Sequence, residues 1–172
     1  MAEHFTHLDR TGAARIVDVS EKASTHRRAT ATCTLLLEGD ARELLANSDD
    51  RARIFGAARL VGILGAKDTS RLIPLCHPLR IDSVTVALEM VDGNLEITVH
   101  VAAFERTGVE MEALTSCSTA ALAVMSEVRH CESKPILVNL CVLEKAGGRS
   151  GDWRRHELVD PSPVSEGEAT PR

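Results

Sequence analysis

Val84-Thr85-Val86-Ala87-Leu88-Glu89-Met90-Val91-Asp92-Gly93-Asn94-Leu95-Glu96-Ile97-Thr98-Val99-His100-Val101 decides the fold. Strict alternation puts Val84, Val86, Leu88 and Met90 on one face of a strand over residues 80–91. The same period puts Leu95, Ile97, Val99 and Val101 on one face of a second strand over 95–104, and Asp92-Gly93-Asn94 reads as the hairpin turn between them. Upstream, residues 28–35 alternate again, with Ala29, Ala31, Cys33 and Leu35 opposite Thr30, Thr32 and Thr34. Residues 13–20 read as a short strand and 41–47 as a short helix. Residues 49–66 read as a longer helix, with Ile54, Ala58 and Val61 in a stripe closed by Gly62 and Gly65. Downstream, 112–129 carries Leu114, Ser118, Ala121, Met125 and Val128 at helical spacing. Pro135 ends that region, and 136–143 is apolar at nearly every position, the pattern of a central strand. The order from residue 28 is β, α, β, β, α, β. That predicts an α/β (α+β) fold of the ferredoxin-like split βαβ plan, an antiparallel sheet with both helices packed on one face.

The 172 residues are enough for one domain, expected over 1–156. A tail over 157–172, rich in Pro, Ser and Glu, is expected to be disordered. Hydrophobic residues make up 44% but aromatics only 2%, with no tyrosine, so the core must be built from Ala, Val, Leu and Ile. Stacking platforms for single-stranded nucleic acid need aromatic faces, and the net charge of −5 leaves no basic footprint for a nucleic-acid partner. All but four of the 20 basic residues are arginine, a bias that reads mostly as nucleotide composition. The five cysteines show no CxxC, zinc-ligand or iron–sulfur spacing, so no metal site is expected. Without a signal peptide they suggest reduced thiols in the cytoplasm, and no run approaches transmembrane length.

Three segments gather reactive or charged groups near element ends. Leu72-Ile73-Pro74-Leu75-Cys76-His77-Pro78-Leu79 sets a thiol and an imidazole between two prolines, in a stiff non-helical stretch. It reads either as a buried loop with a satisfied core histidine or as a site that holds His77 in one orientation. Arg106-Thr107-Gly108-Val109-Glu110-Met111-Glu112-Ala113-Leu114-Thr115 turns into the second long helix. Its glutamates are either dipole-favoured N-terminal residues or, with the free N–H groups there, a ligand site for a purine-like edge. Lys145-Ala146-Gly147-Gly148-Arg149-Ser150-Gly151 is either a flexible linker or a glycine-rich backbone that suits phosphate oxygens. It is not a Walker A loop, because the spacing differs and no helix follows.

Taken together with Val17-Asp18-Val19-Ser20-Glu21-Lys22-Ala23, these segments closely resemble the MoaC family, the cyclic pyranopterin monophosphate synthases of molybdenum cofactor biosynthesis. The similarity runs in order from about Thr6 to Arg155, and Ile-Pro-Leu-Cys-His-Pro-Leu and Thr-Gly-Val-Glu-Met-Glu-Ala-Leu-Thr are its most specific strings. The resemblance implies a ferredoxin-like subunit, a homohexamer arranged as a trimer of dimers, and active sites at subunit interfaces. It implies a substrate, 3′,8-cyclo-7,8-dihydro-GTP, that is rebuilt as a pterin with a cyclic phosphate and release of pyrophosphate, without a redox cofactor. Matching positions imply substrate contacts from Leu75, Cys76, His77, Glu110, Met111 and Glu112, and phosphate or ring-oxygen contacts from Arg27, Lys67 and Lys145.

The departures fall on the second long helix. Where the family carries an aspartate taken as catalytic and a lysine three residues later, this chain has Ser126 and Arg129; a further family lysine aligns with Arg51. Arginine keeps the positive charge but stays protonated near neutral pH, so it is a poor proton donor or base. Serine cannot replace a carboxylate without an activating neighbour. His130 or Glu127 could supply that neighbour, although Glu127 points about 100° away on the helix. Glu112 and Ser126 would stand about 21 Å apart on a continuous helix, which points to a composite site between subunits. The readings left open are the family lyase, a catalytically impaired relative that binds nucleotide or assembles with an active homologue, and an enzyme acting on a related nucleotide in another pathway.

Overall fold

A computed structural model describes residue 8 and residues 11–156; the expected tail lies outside them. The element order is β1 (Thr25–Leu36), α1 (Gly39–Ala46), α2 (Ser48–Leu72), β2 (Ile81–Val91), β3 (Asn94–Glu105), α3 (Glu110–Glu127), β4 (Ile136–Ala146) and β5 (Trp153–Arg154). The strands form one sheet in the order β2-β3-β1-β4-β5, and every neighbouring pair is antiparallel. This is the α+β ferredoxin-like plan expected from the hairpin. Val91 pairs with Asn94, so Asp92 and Gly93 alone make the turn. Both have positive φ, 49° and 79°, the signature of a two-residue hairpin whose twist matches its strands.

The core lies between the sheet and the helix layer. Ala29, Ala31, Cys33 and Leu35 of β1 and Leu95, Ile97, Val99 and Val101 of β3 are all buried, as the alternation required. On α3 the buried face is Ala113, Cys117, Ala120, Ala121 and Val124, slightly rotated from the expected stripe, with Leu114 and Met125 only partly covered. Small residues dominate because two helices and a sheet meet there at short range.

Asn47 starts α2 by accepting the N–H groups of Asp49 (3.0 Å) and Asp50 (3.2 Å), with both aspartates in the favoured first turn. Gly62 and Gly65 do not close this helix, contrary to the sequence reading. They are its contact points with α3. A Cβ at Gly62 would stand 3.2 Å from Ala120 Cβ, the Ser116 carbonyl oxygen and Val86 Cγ2, and one at Gly65 would run into the Thr119 side chain. Helix α2 stops at Leu72, where Pro74 holds Ile73 extended (φ −112°, ψ 101°). The contacts Gly65–Thr119, Gly62–Ala120 and Arg53–Glu127 show that α2 and α3 run antiparallel. The end of α2 is therefore brought to the start of α3.

Two further expectations need correction. Residues 13–20 form no strand beyond a single bridge between Leu8 and Ala14. Ser20 N–H donates to Asp18 Oδ1 (2.9 Å) and Lys22 N–H to the Val19 carbonyl (3.1 Å), so local turn bonds replace a ladder. Strand β4 is not central: its outer edge meets only the two-residue β5, and Ile136 and Leu140 are exposed. Irregularities in its pairing with β1, between Thr30 and Ala31 and between Thr32 and Thr34, and a positive φ at Asn139, break the alternation that would have revealed this.

Gly65→Val inserts a branched side chain into the α2–α3 contact and should destabilise the fold by about 1–3 kcal/mol. Urea unfolding of the variant beside Gly56→Ala, where a Cβ meets nothing within 4 Å, checks this.

Candidate functional site

Two adjoining cavities open where α2 ends and α3 begins. The first, about 250 Å³, is lined by Val17, Val19 and Lys22 of the N-terminal segment, by Leu75, Cys76, His77 and Leu79 after α2, and by Thr107, Gly108, Glu110, Met111 and Glu112 at the start of α3. The second, about 510 Å³, shares Lys22, Thr107 and Gly108 with it and adds Ala23, Thr25, Arg27, Arg106, Gly148, Arg149 and Ser150. Thus the three segments singled out in the sequence meet at one place.

Local chain chemistry explains how each wall is held. After Ile73 the chain turns, with Cys76 N–H donating to the Ile73 carbonyl (3.0 Å), and this presents Leu75, Cys76 and His77 to the first cavity. The N-cap of α3 is Val109, whose side chain cannot accept a hydrogen bond, so no side chain caps the first turn. On the basic side, Arg27 Nε donates to the Glu105 carbonyl (3.2 Å) and Nη2 to that of Arg106 (3.1 Å). Its guanidinium lies against Gly148, where a side chain would collide with it. Gly147 is packed against the His26 carbonyl at φ +93°, so neither glycine tolerates a Cβ.

Glu112 is the electrostatic centre of the first cavity. It is 3% exposed, and burial pushes its carboxyl up from the ordinary value of 4.5 to about 7. A hydrogen bond from its own backbone N–H opposes that rise, and the charge of Glu110 adds to it. Burial also raises the Cys76 thiol, with the Glu112 charge contributing in the same direction. The first cavity therefore offers a half-buried imidazole, an intact thiol and a carboxyl that exchanges its proton near neutral pH, the properties of an acid–base site. The second offers cations: Lys22, Arg27, Arg106 and Arg149. Lys145 lines neither cavity but touches a wall residue of each, lying 3.3 Å from Glu110 Oε1 and donating to Ser150 Oγ (3.0 Å).

The structure thus brings together Leu75, Cys76, His77, Glu110, Met111 and Glu112, and sets Arg27 and Lys145 beside them. Lys67 lines neither cavity; it is exposed on α2. Arg51, Ser126 and Arg129 belong to the opposite end of the antiparallel helix pair. Arg51 Nη1 donates to the carbonyls of Leu45 (3.2 Å) and Ala46 (3.3 Å), and Arg129 Nη1 to that of Ser126 (2.8 Å). Glu127, considered as a helper for Ser126, is tied to Arg53 at 2.6 Å. Lys22, Arg106 and Arg149 also line the cavities, and the sequence does not mark them as site residues although each lies in one of the motif segments. Nothing in those segments distinguished a cavity cation from a solvated one. Among the described residues no group of three or more His, Cys, Asp or Glu side chains could hold a metal ion.

The chain is a ferredoxin-like α+β protein in which a cavity holding a buried carboxyl adjoins one lined by cations. The sequence pattern of the MoaC family matches residues 16–148. A cyclic pyranopterin monophosphate synthase of Streptomyces griseus is 46% identical over 152 residues, covering 88% of this chain and 86% of the relative. Cyclic pyranopterin monophosphate synthase 3 of Mycobacterium tuberculosis is 44% identical over 161 residues (92% and 91%), and the Novosphingobium aromaticivorans synthase 40% over 154 residues (89% and 98%). The chain belongs to the MoaC family.

Glu112 has a testable effect on stability. Its carboxyl takes up a proton more readily folded than unfolded, so its contribution is full below pH 4.5 and is lost as pH rises through about 7. Between pH 4.5 and 7.5 the wild type should lose on the order of 2–3 kcal/mol relative to Glu112→Gln. Chemical denaturation of both proteins across that range measures the difference.

Proposed function

We propose that this protein is a lyase of molybdenum cofactor biosynthesis. It would convert 3′,8-cyclo-7,8-dihydro-GTP to cyclic pyranopterin monophosphate with release of pyrophosphate. The observation that carries the reading is the junction of the two cavities, with the buried Glu112 carboxyl and His77 on one side, Arg27, Arg106 and Arg149 on the other, and Lys22 lining both. Opening and rebuilding a purine ring calls for groups that give and take protons near neutral pH, and Glu112 is such a group. A triphosphate calls for several cations on exposed backbone, and the second cavity supplies them. The names of the relatives support the same activity.

The homohexamer and its interface sites belong to this proposal. Exposed apolar side chains on the helix layer, Leu60, Val61 and Leu64 of α2 with Leu122 of α3, favour burial against another subunit. So does the separation of about 21 Å along α3 between Glu112 and Ser126, which one small substrate does not span. A cytoplasmic location fits the five free cysteines, and no helix among the described residues is long and apolar enough to cross a membrane.

A second reading, a member that binds nucleotide without transforming it or assembles with an active homologue, is favoured by one observation. Arg51 and Arg129, placed by the resemblance at lysine positions, are engaged with helix-end carbonyls.

Incubation of the purified protein with 3′,8-cyclo-7,8-dihydro-GTP should yield a pterin and pyrophosphate, and Glu112→Gln or His77→Ala should lower turnover by about 10²-fold or more. Tight binding with no product would sink the lyase reading. Gain of turnover in Ser126→Asp with Arg129→Lys would then establish the second.

A further inference from the structure

We propose that Glu110 is the internal counter-ion of the phosphate cavity, holding Lys145 in the free protein until the polyphosphate of a ligand takes that cation over. The inference rests on the proposed function for the identity of the ligand, but its chemistry needs only a polyanion.

Glu110 Oε1 lies 3.3 Å from Lys145 Nζ, and both side chains are largely covered, 30% and 27% exposed. The Glu110 carboxylate is folded back over Gly108, one of the residues common to both cavities. A carboxylate there occupies the boundary that a triphosphate must pass along when its heterocycle sits near His77. The other cations are arranged differently. Arg27 is positioned by two neutral carbonyls, those of Glu105 and Arg106. Among the described residues, no ion pair joins Lys22, Arg27, Arg106 or Arg149 to a carboxylate. Of the basic residues around this junction, Lys145 alone carries an internal anion. Its second contact, to Ser150 Oγ at 3.0 Å, belongs to the wall of the cation cavity, so the ammonium already reaches toward that side.

Competition between two anions for one ammonium gives Glu110 a positioning role. It keeps Lys145 ordered and weakens retention of phosphate, which suits a site that must release a polyphosphate product. A purely structural bridge between the start of α3 and β4 would use the same contact. The two differ in what removal of the carboxylate does to anion binding.

Inorganic tripolyphosphate, which carries no ring, separates them by titration calorimetry on the full chain. Glu110→Gln should bind it about two- to fivefold more tightly than the wild type, the scale of one partly exposed ion pair. Lys145→Gln should bind more weakly, and adding Glu110→Gln to it should bring no further gain. Glu110→Ser serves as a second truncation, and thermal melts confirm that each variant is folded. The proposal is overturned if Glu110→Gln binds no more tightly, if its gain persists without Lys145, or if neither it nor the wild type binds. Turnover does not enter the measurement, so failure of the lyase reading, seen as binding without product, leaves this result standing.

Discussion

The close antiparallel contact of α2 with α3 is the constraint on which the rest of the molecule depends. Gly62 and Gly65 let the helices approach until Ala120 and Thr119 fill the space their side chains would have taken. That approach allows a core with few aromatics to be closed by alanines and valines. It also fixes which helix ends are neighbours. The residues after Leu72 and those before Glu110 meet because the two helices run in opposite directions from one seam. A pocket assembled this way has one wall from a loop and one from a helix start, both anchored to the same layer.

Electrostatics then divides the site. A carboxyl removed from water beside Glu110 keeps its proton to higher pH, while a short distance away several guanidinium and ammonium groups gather on glycine-rich backbone. Gly147 and Gly148 shape that gathering: a methyl group at Gly147 would collide with the His26 carbonyl, and Gly148 holds a left-handed backbone (φ 79°) against the Arg27 guanidinium. The buried carboxyl and the cation cluster thus adjoin, and Lys22 lines both cavities.

Much of this was legible in the sequence. The period-two runs 84–90 and 95–101 and the Asp-Gly turn specified the hairpin, because a half-buried strand displays its burial directly in its alternation. Strand β4 was misjudged because irregular pairing with β1 scrambles that display, and a continuous apolar run then looks central. Gly62 and Gly65 looked like stops because glycine weakens a helix by itself; its value here lies in a tertiary contact that no local pattern announces. His77 and Glu112, which line the first cavity, stand out in the sequence because they sit in very specific strings. Lys22, Arg106 and Arg149 do not, since a surface cation and a cavity cation have the same local sequence.

Arg51 shows how a cation can be committed to holding the fold. Its Nη1 serves two carbonyls at the end of α1, those of Leu45 and Ala46. A guanidinium held so is a mounted charge and no longer a tethered one. To meet a passing anion it must first surrender bonds that finish a helix, so reaching outward loosens the last turn of α1. A lysine at the same place would give up chiefly rotamer freedom. The steadiness of a short helix is thereby tied to where this one guanidinium points.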